Sequence, residues 1–211
     1  MLRRTSELTG YTLGARDGEI GTVGDFYFDD QSWTVQYLVA HTGSWLSDRL
    51  VLIARSALRP TNPDDRIIPV DVTKEEVENS SSPDTNRPLD CHDPHLRSTY
   101  AMSGCHIQAE DAAFGHVEDF VIDDAAWMIR YLIVDTRNWF PGKKVLVSPQ
   151  WIRRVSWSEA KIFVNLSREA IKHSPEITEE ALITRDYEME LYRHYNQPGY
   201  WAKEPAIKQQ S

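Results

Sequence analysis

The sequence predicts a mainly β protein, built from two tandem small β-barrels with short helices and a C-terminal helical arm. Three observations carry this prediction: an internal repeat, a series of short β-prone segments in each copy, and one amphipathic segment near the C-terminus. Two copies of a unit are too few for a solenoid, so we expect each copy to fold as its own small domain.

The internal repeat has a constant offset of 94 residues, and it is clearest where residues 21–33 align with residues 115–127. The register continues without insertion to Ser80 and Ser174. The predicted boundaries are repeat 1 at residues 1–80, a linker at residues 81–99, repeat 2 at residues 100–174 and a helical tail at residues 175–211.

Each copy has the composition of short strands followed by one helical turn. Residues 34–41 are rich in β-branched and aromatic side chains, and a polar turn at residues 29–32 joins them to the glycine-bearing strand before it. Two further short strands are predicted at residues 50–54 and 67–70, and Thr73 is placed to cap a brief helix. Such closely spaced strands favour a small barrel, because closure removes exposed sheet edges.

The segments outside the repeats differ in character. Residues 81–99 contain three prolines and a run of serines, which disfavours regular structure. Residues 184–195 predict a helix with one apolar face, and we expect this arm to dock on a barrel of the same protein, with the barrel ends near Trp45 and Trp139 as the nearest apolar surfaces. The residues of this predicted docking arm are Tyr187, Leu191, Tyr195, Tyr200 and Trp201.

The repeated motif resembles the PRC-barrel family. The resemblance rests on Asp17-Gly-Glu-Ile-Gly21 and the residues up to Trp45 in the first copy, and on residues 114–120 and 130–136 in the second. That family is named for the cytoplasmic domain of the photosynthetic reaction centre H subunit, and it includes the C-terminal domain of a ribosome-maturation factor. The resemblance implies a small barrel that serves as a docking platform for different partners, and a fold alone does not fix function. The membrane helix of the H subunit and the extra N-terminal domain of the maturation factor are lacking here, so the chain looks like a stand-alone tandem bacterial form.

Composition favours a cytoplasmic protein that does not insert into a membrane. The chain is 41% hydrophobic and 26% charged, and no apolar run approaches the ~18 residues that span a bilayer. Residues 1–7 lack the apolar stretch of a signal peptide. The two cysteines, Cys91 and Cys105, are too few for a disulfide framework, and we expect them to be reduced.

One cluster has the side chains of a zinc site: Cys91, His92 and His95, with Cys105 and His106 further along. Its cysteines are not closely paired, however, and the first copy has a tyrosine and a threonine in place of Cys105 and His106. An ordinary linker is therefore favoured, and no metal is predicted.

The aspartate pairs Asp29-Asp30 and Asp123-Asp124 lie in predicted turns. Catalytic carboxylates lie several Å apart in a cleft, so turn chemistry is favoured, with a weak surface calcium site as the alternative. No nucleophile–base, phosphate-loop or dinucleotide motif occurs. The sequence therefore predicts no catalytic residues and no cofactor.

Two loops carry the candidate partner-binding residues. Each places a tryptophan among polar residues, where the indole either covers one end of the barrel or forms part of a binding patch, since Trp and Arg are enriched in hot spots. The candidate residues are Trp45, Arg49, Trp139, Phe140, Lys143 and Lys144.

The two copies differ in net charge. The chain carries a net charge of −9, of which residues 6–80 contribute −7 and residues 100–174 contribute zero. Such a difference favours packing of the copies against each other, within or between chains, although neutral drift of solvated residues would also produce it.

The predicted function is a non-enzymatic protein-binding or docking module whose partner the sequence does not name, and we expect a homodimer. An RNA-binding or ribosome-assembly protein is the alternative, although the overall acidic charge opposes nucleic acid. A hydrolase-type enzyme ranks third. The RNA alternative would use Lys143, Lys144, Trp151, Arg153 and Arg154.

Overall fold

The computed structural model describes residues 1–61, 65–80, 93–136, 143–178 and 182–202. Within these ranges thirteen strands join in one sheet, and the helices are short, which confirms the predicted mainly β fold class. No helix among the described residues is both long and apolar enough to cross a membrane.

The elements of the first half follow one another closely. They are β1 (Leu2–Arg4), α1 (Thr5–Leu8), β2 (Thr12–Ala15), β3 (Gly18–Asp29), β4 (Thr34–His41), β5 (Leu50–Ala54), β6 (Ile67–Pro69) and α2 (Lys74–Glu78). Short 3-10 helices lie at Gly43–Leu46 and Arg55–Ala57.

Among the described residues, the second half repeats this order with one further strand between the counterparts of β5 and β6. Its elements are β7 (Leu96–Ser98), α3 (Thr99–Met102), β8 (His106–Gln108), β9 (Ala113–Asp123), β10 (Met128–Asp135), β11 (Lys144–Val147), β12 (Ile152–Ser156), β13 (Lys161–Val164) and α4 (Arg168–Lys172). The tail adds α5 (Arg185–His194) and a 3-10 helix at Tyr200–Ala202. Equivalent elements of the two halves lie 94 residues apart, namely β1 and β7, α1 and α3, β4 and β10, and α2 and α4.

Both halves have the same strand pairing. In the first barrel (β2–β6) the strands β2 to β5 pair antiparallel in succession, and β6 returns to pair parallel with β2. In the second barrel (β8–β13) β8 to β11 do the same, and β13 pairs parallel with β8. Register shifts in β3, between Val23 and Asp25 and between Tyr27 and Phe28, bend this long strand around the barrel.

The two halves exchange their first strands and helices. Strand β1 pairs with β9 of the second barrel, and β7 pairs with β3 of the first. The end of the predicted linker is therefore regular structure, since Leu96–Ser98 form β7 and Thr99 begins α3. Composition did not reveal this strand, because its partner is the end of β3, far away in the sequence.

Reciprocal hydrogen bonds join the barrels at their centre. The Val35 amide donates to the Trp127 carbonyl at 2.9 Å, and the Ile129 amide donates to the Trp33 carbonyl at 2.8 Å. The buried side chains of both halves form one hydrophobic cluster, in which Phe26 stacks on Trp127 across the junction. The halves therefore share a core, where the sequence suggested two separate ones.

Candidate docking site

Two pairs of aspartates in the repeated motif hold the exchanged segments in place, Asp25 with Asp119 and Asp30 with Asp124. The carboxylate of Asp25 accepts hydrogen bonds from Ser98 Oγ at 2.5 Å, Thr99 Oγ1 at 2.7 Å and the Tyr100 amide at 3.2 Å. Asp119 binds the start of α1 in the same way, through residues 5 and 6. Each carboxylate thus caps the N-terminus of a helix that belongs to the other half.

The adjacent aspartates Asp29 and Asp30 have different roles, since Asp29 stabilises the turn and Asp30 binds the exchanged β7 segment. Burial raises the pKa of Asp29, but hydrogen bonds from Ser32 and Gln31 outweigh it and hold the pKa below its usual value. The Asp30 carboxylate lies 3.0 Å from His95 Nδ1 and 3.3 Å from Arg97 Nε, on the incoming β7 segment. This side chain and that of its counterpart, Asp124, are largely buried, although turn chemistry alone predicts solvated carboxylates.

The zinc-type side chains are dispersed where the structure describes them. Cys105 is buried in the core, and burial raises the pKa of its thiol. His106 is exposed on β8, and His95 is engaged with Asp30. Cys91 lies outside the described residues, and among those described no three potential ligands come together.

The loop tryptophan Trp45 both covers a barrel end and remains accessible. Its indole Nε1 donates to the Ile20 carbonyl at 3.0 Å, while Lys74 Nζ lies 5.7 Å from the ring centroid. The residue is 39% exposed. The corresponding candidates Trp139 and Phe140 lie outside the described residues.

The cationic candidates contact their own chain. Arg49 donates to the carbonyls of Glu78 and Ser80 at 3.2 and 2.6 Å, and Lys143 donates to the Lys172 carbonyl at 2.7 Å. Both therefore bind at the C-terminus of the helix that closes their repeat, where a cation is favoured. Lys144 Nζ pairs with Glu118 Oε1 at 2.9 Å.

The residues of the RNA alternative do not form one open surface. Trp151 is buried, and its ring is covered by the arm. Arg153 and Arg154 are exposed and line a cleft of about 530 Å³, which also includes Asp30 and Trp157. The Arg154 guanidinium lies 3.6 Å from the Phe163 ring centroid.

The C-terminal arm begins at Thr184, whose hydroxyl accepts a hydrogen bond from the Tyr187 amide at 3.3 Å. Leu191 and Tyr195 are buried, as the predicted apolar face requires, and Tyr192 is buried beside them. Burial raises the pKa of Tyr195 to about 12. The hydroxyl of Tyr187, at the margin, donates to the Pro175 carbonyl at 3.2 Å.

The arm docks on the second barrel of its own chain. The ring of Trp151 lies 5.2 Å from Tyr192 and 4.6 Å from Tyr195, measured between centroids. His194 Nε2 donates to the Ala170 carbonyl at 2.7 Å. The four barrel residues that receive the arm, called here the arm-binding face, are Tyr131, Ser148, Trp151 and Ala170.

A buried carboxylate lies at the centre of this contact. Glu188 is 2% exposed, and its Oε1 accepts a hydrogen bond from the Tyr131 hydroxyl at 2.6 Å. Its Oε2 lies 3.2 Å from Arg185 Nη1. Burial raises the pKa of the Tyr131 phenol far above its usual range, so this hydroxyl remains a donor. Glu188 is not predicted as a contact residue by the sequence pattern, because helical periodicity assigns charged residues to the exposed face.

The aromatic residues after α5 complete the contact. The rings of Tyr200 and Trp201 lie 6.3 and 5.0 Å from Tyr192, and Arg130 lies over Tyr200 at 4.1 Å. The predicted arm residues therefore come together, but on the wall of the second barrel rather than near the loop tryptophan Trp45. The wall is favoured because Tyr131 and Trp151 offer both aromatic faces and a hydrogen-bond donor.

The same wall of the first barrel is open. Tyr37, the counterpart of Tyr131, is 36% exposed where Tyr131 is 0% exposed. Ala54 is exposed, whereas its counterpart Ser148 is buried beneath the arm.

The model of the PRC-barrel domain family matches residues 102–170, which include β8–β13. The resemblance predicted from the sequence is thereby confirmed for the second half of the chain. No curated protein sequence matches the chain.

Proposed function

We propose that this chain, which contains a PRC-barrel domain at residues 102–170, is a non-enzymatic protein-binding module built from two copies of that barrel. The observation that carries the proposal is the contact between α5 and the arm-binding face. There a barrel wall holds a short helix through buried aromatic side chains and one buried carboxylate. A wall that can hold a helix of its own chain has the chemistry to hold a helix of another protein.

The roles of the acidic side chains support binding rather than catalysis. Asp25 and Asp119 cap helices, Asp29 stabilises a turn, and Asp30 anchors an exchanged strand. Each carboxylate has a structural partner that accounts for its presence in the repeated motif.

We place the module in the cytoplasm and expect a homodimer. The arm is bound to its own chain, so a dimer would use another surface. Sedimentation equilibrium of the whole chain tests this expectation, since a dimer has twice the mass of the chain, and removal of the arm should leave the assembly unchanged.

Affinity capture of the tagged chain from its own cells, after ribonuclease treatment, tests the binding function. We expect one protein to be enriched over a tag-only control and, once purified, to bind the chain with a stoichiometry measurable by calorimetry. Loss of all enrichment after ribonuclease would instead support the RNA alternative. Turnover of a substrate by the purified chain would contradict the non-enzymatic part of the proposal.

A further inference from the structure

The first barrel carries a groove of about 370 Å³ at the position that corresponds to the arm-binding face. Three of the four residues of that face have counterparts that line the groove, namely Ala54, Ala57 and Glu76. The counterpart of the fourth is Tyr37, which pairs with Ala54 across β4 and β5 and is partly exposed. The groove is therefore the same structural site on the other copy of the repeat.

The groove has an apolar floor and more room than its counterpart. Its floor includes Val51, Ile53 and Val77, which are buried, and Leu52 and Val72, which are half-buried. Ala57 stands where the second barrel has the indole of Trp151, and the smaller side chain leaves space for a large aromatic ring from a ligand.

The groove also has an acidic edge on α2. Glu76 lines the groove and stands where α4 has Ala170, and the exposed Glu78, two residues further on, stands where α4 has Lys172. The other carboxylate of the groove, Asp71, is paired with Arg16 and Arg59, so Glu76 is the charge that faces a ligand. In the second barrel the carbonyl of Ala170 accepts a hydrogen bond from His194 of the arm. A basic side chain at the equivalent point of a bound helix would lie beside the carboxylate of Glu76, and charge complementarity therefore favours a basic ligand.

We propose that this groove binds a short amphipathic helix of another protein, with two aromatic side chains three residues apart and basic residues beside them, in the pose that α5 adopts on the second barrel. The inference rests on the proposed function and names its site and its class of partner.

Two other candidates for the groove, residues 81–92 of this chain and the arm of a second copy, fit less well. Residues 81–92, which follow the groove-lining Ser80, include no Phe, Tyr or Trp, so they cannot supply the aromatic pair. A second copy of the chain has one arm, and that arm is docked on its own second barrel.

The test uses a fluorescent peptide of residues 184–202 in which Asp186→Lys and Glu190→Lys make an exposed surface basic while Tyr192 and Tyr195 are kept. We expect saturable 1:1 binding to the whole chain by anisotropy, with a Kd on the order of 10–100 µM, weakened by salt. The unmodified peptide should bind several-fold more weakly.

Matched variants locate the binding site. Ala54→Arg and Ser56→Arg alter exposed groove residues and should each raise the Kd at least about tenfold without lowering the melting temperature. Ala125→Arg places the same charge on an exposed turn of the second half and should leave the Kd unchanged.

Absence of saturable binding, or binding by both groove variants as tight as by the unaltered chain, overturns the inference. These outcomes are separable from failure of the proposed function. A partner captured from cells that binds Ala54→Arg as tightly as the unaltered chain would preserve the binding function and reject the groove. A peptide that binds the groove, together with the absence of any partner in cells, would support the groove as a binding site and reject the proposed cellular function.

Discussion

Removal of one hydroxyl, by Tyr131→Phe, tests whether the arm is held by its buried carboxylate. The Tyr131 hydroxyl donates to Glu188 Oε1 at 2.6 Å, and the substitution changes almost no volume. It leaves a carboxylate that is 2% exposed with the Arg185 ion pair at 3.2 Å and the neighbouring Tyr200, but without the Tyr131 donor. A hydrogen bond to a buried charge contributes about 1.5–3 kcal/mol, so we expect a loss of roughly 2 kcal/mol in the free energy of unfolding. For a chain of this size the melting temperature should fall by about 4–8 °C, measured by calorimetry.

The repeat supplies the matched control. Tyr37→Phe removes the equivalent hydroxyl from the first barrel, where the residue is 36% exposed and faces no arm, and it should change stability by less than about 0.5 kcal/mol. In a Glu188→Ala background the cost of Tyr131→Phe should fall to near zero, because the buried carboxylate that the phenol serves is gone. Equal melting temperatures for Tyr131→Phe and Tyr37→Phe would refute the reasoning.

Two further predictions concern the exchanged helices and the arm. Asp25→Ala removes the carboxylate that accepts from Thr99 and Tyr100 at the start of α3, although the N-cap bond from the Ala101 amide to Ser98 stays. It should lower the free energy of unfolding by about 1–2 kcal/mol in urea titrations, whereas Asp25→Asn, which keeps an acceptor, should cost less; equal losses would contradict the capping role. Because burial raises the pKa of Tyr195 to about 12, above the value of about 10 expected in the unfolded chain, the arm's stability should be intact below pH 10 and be lost as the pH rises towards 12. Tyrosinate absorbance and tryptophan fluorescence should change together over that range. A chain truncated before residue 184 should lack the fluorescence change. An identical fluorescence change in the truncated chain would show that the signal does not come from release of the arm.

Several elements could be predicted from local sequence because their physical causes are local. β-branched and aromatic side chains predicted β4, with the same bounds as the strand in the structure, and Thr73 with Glu76 predicted the capping box that begins α2. The arm helix was predicted within one residue at each end, since its N-cap and its apolar spacing both lie within residues 184–195.

The candidate site was less accessible to sequence reasoning. The aromatic residues of the arm were identified by composition, because such side chains are seldom left in water. Their target was not identified, since Tyr131 looks like an ordinary core residue of a strand and Trp151 was assigned to a possible RNA surface. Arg49 and Lys143 looked like a binding patch, yet the carbonyls that they bind lie 29 residues further along the chain, beyond the reach of a local pattern.

The sequence by itself determined the repeat, the strands and the amphipathic arm, because each follows from side-chain periodicity and spacing along a short segment. Only the tertiary structure decided that the halves exchange their first strands, that one core joins them and that the arm occupies the wall of the second barrel. These features depend on contacts between residues far apart in sequence. The two copies have nearly the same local patterns, so a strand such as β7 could pair with either barrel as far as its own residues show. In the folded chain Asp25 and Asp30 hold the β7 segment, and their counterparts Asp119 and Asp124 hold the N-terminal segment. The same side chains are present in both copies, so the exchange follows from the tertiary contacts and not from these local residues.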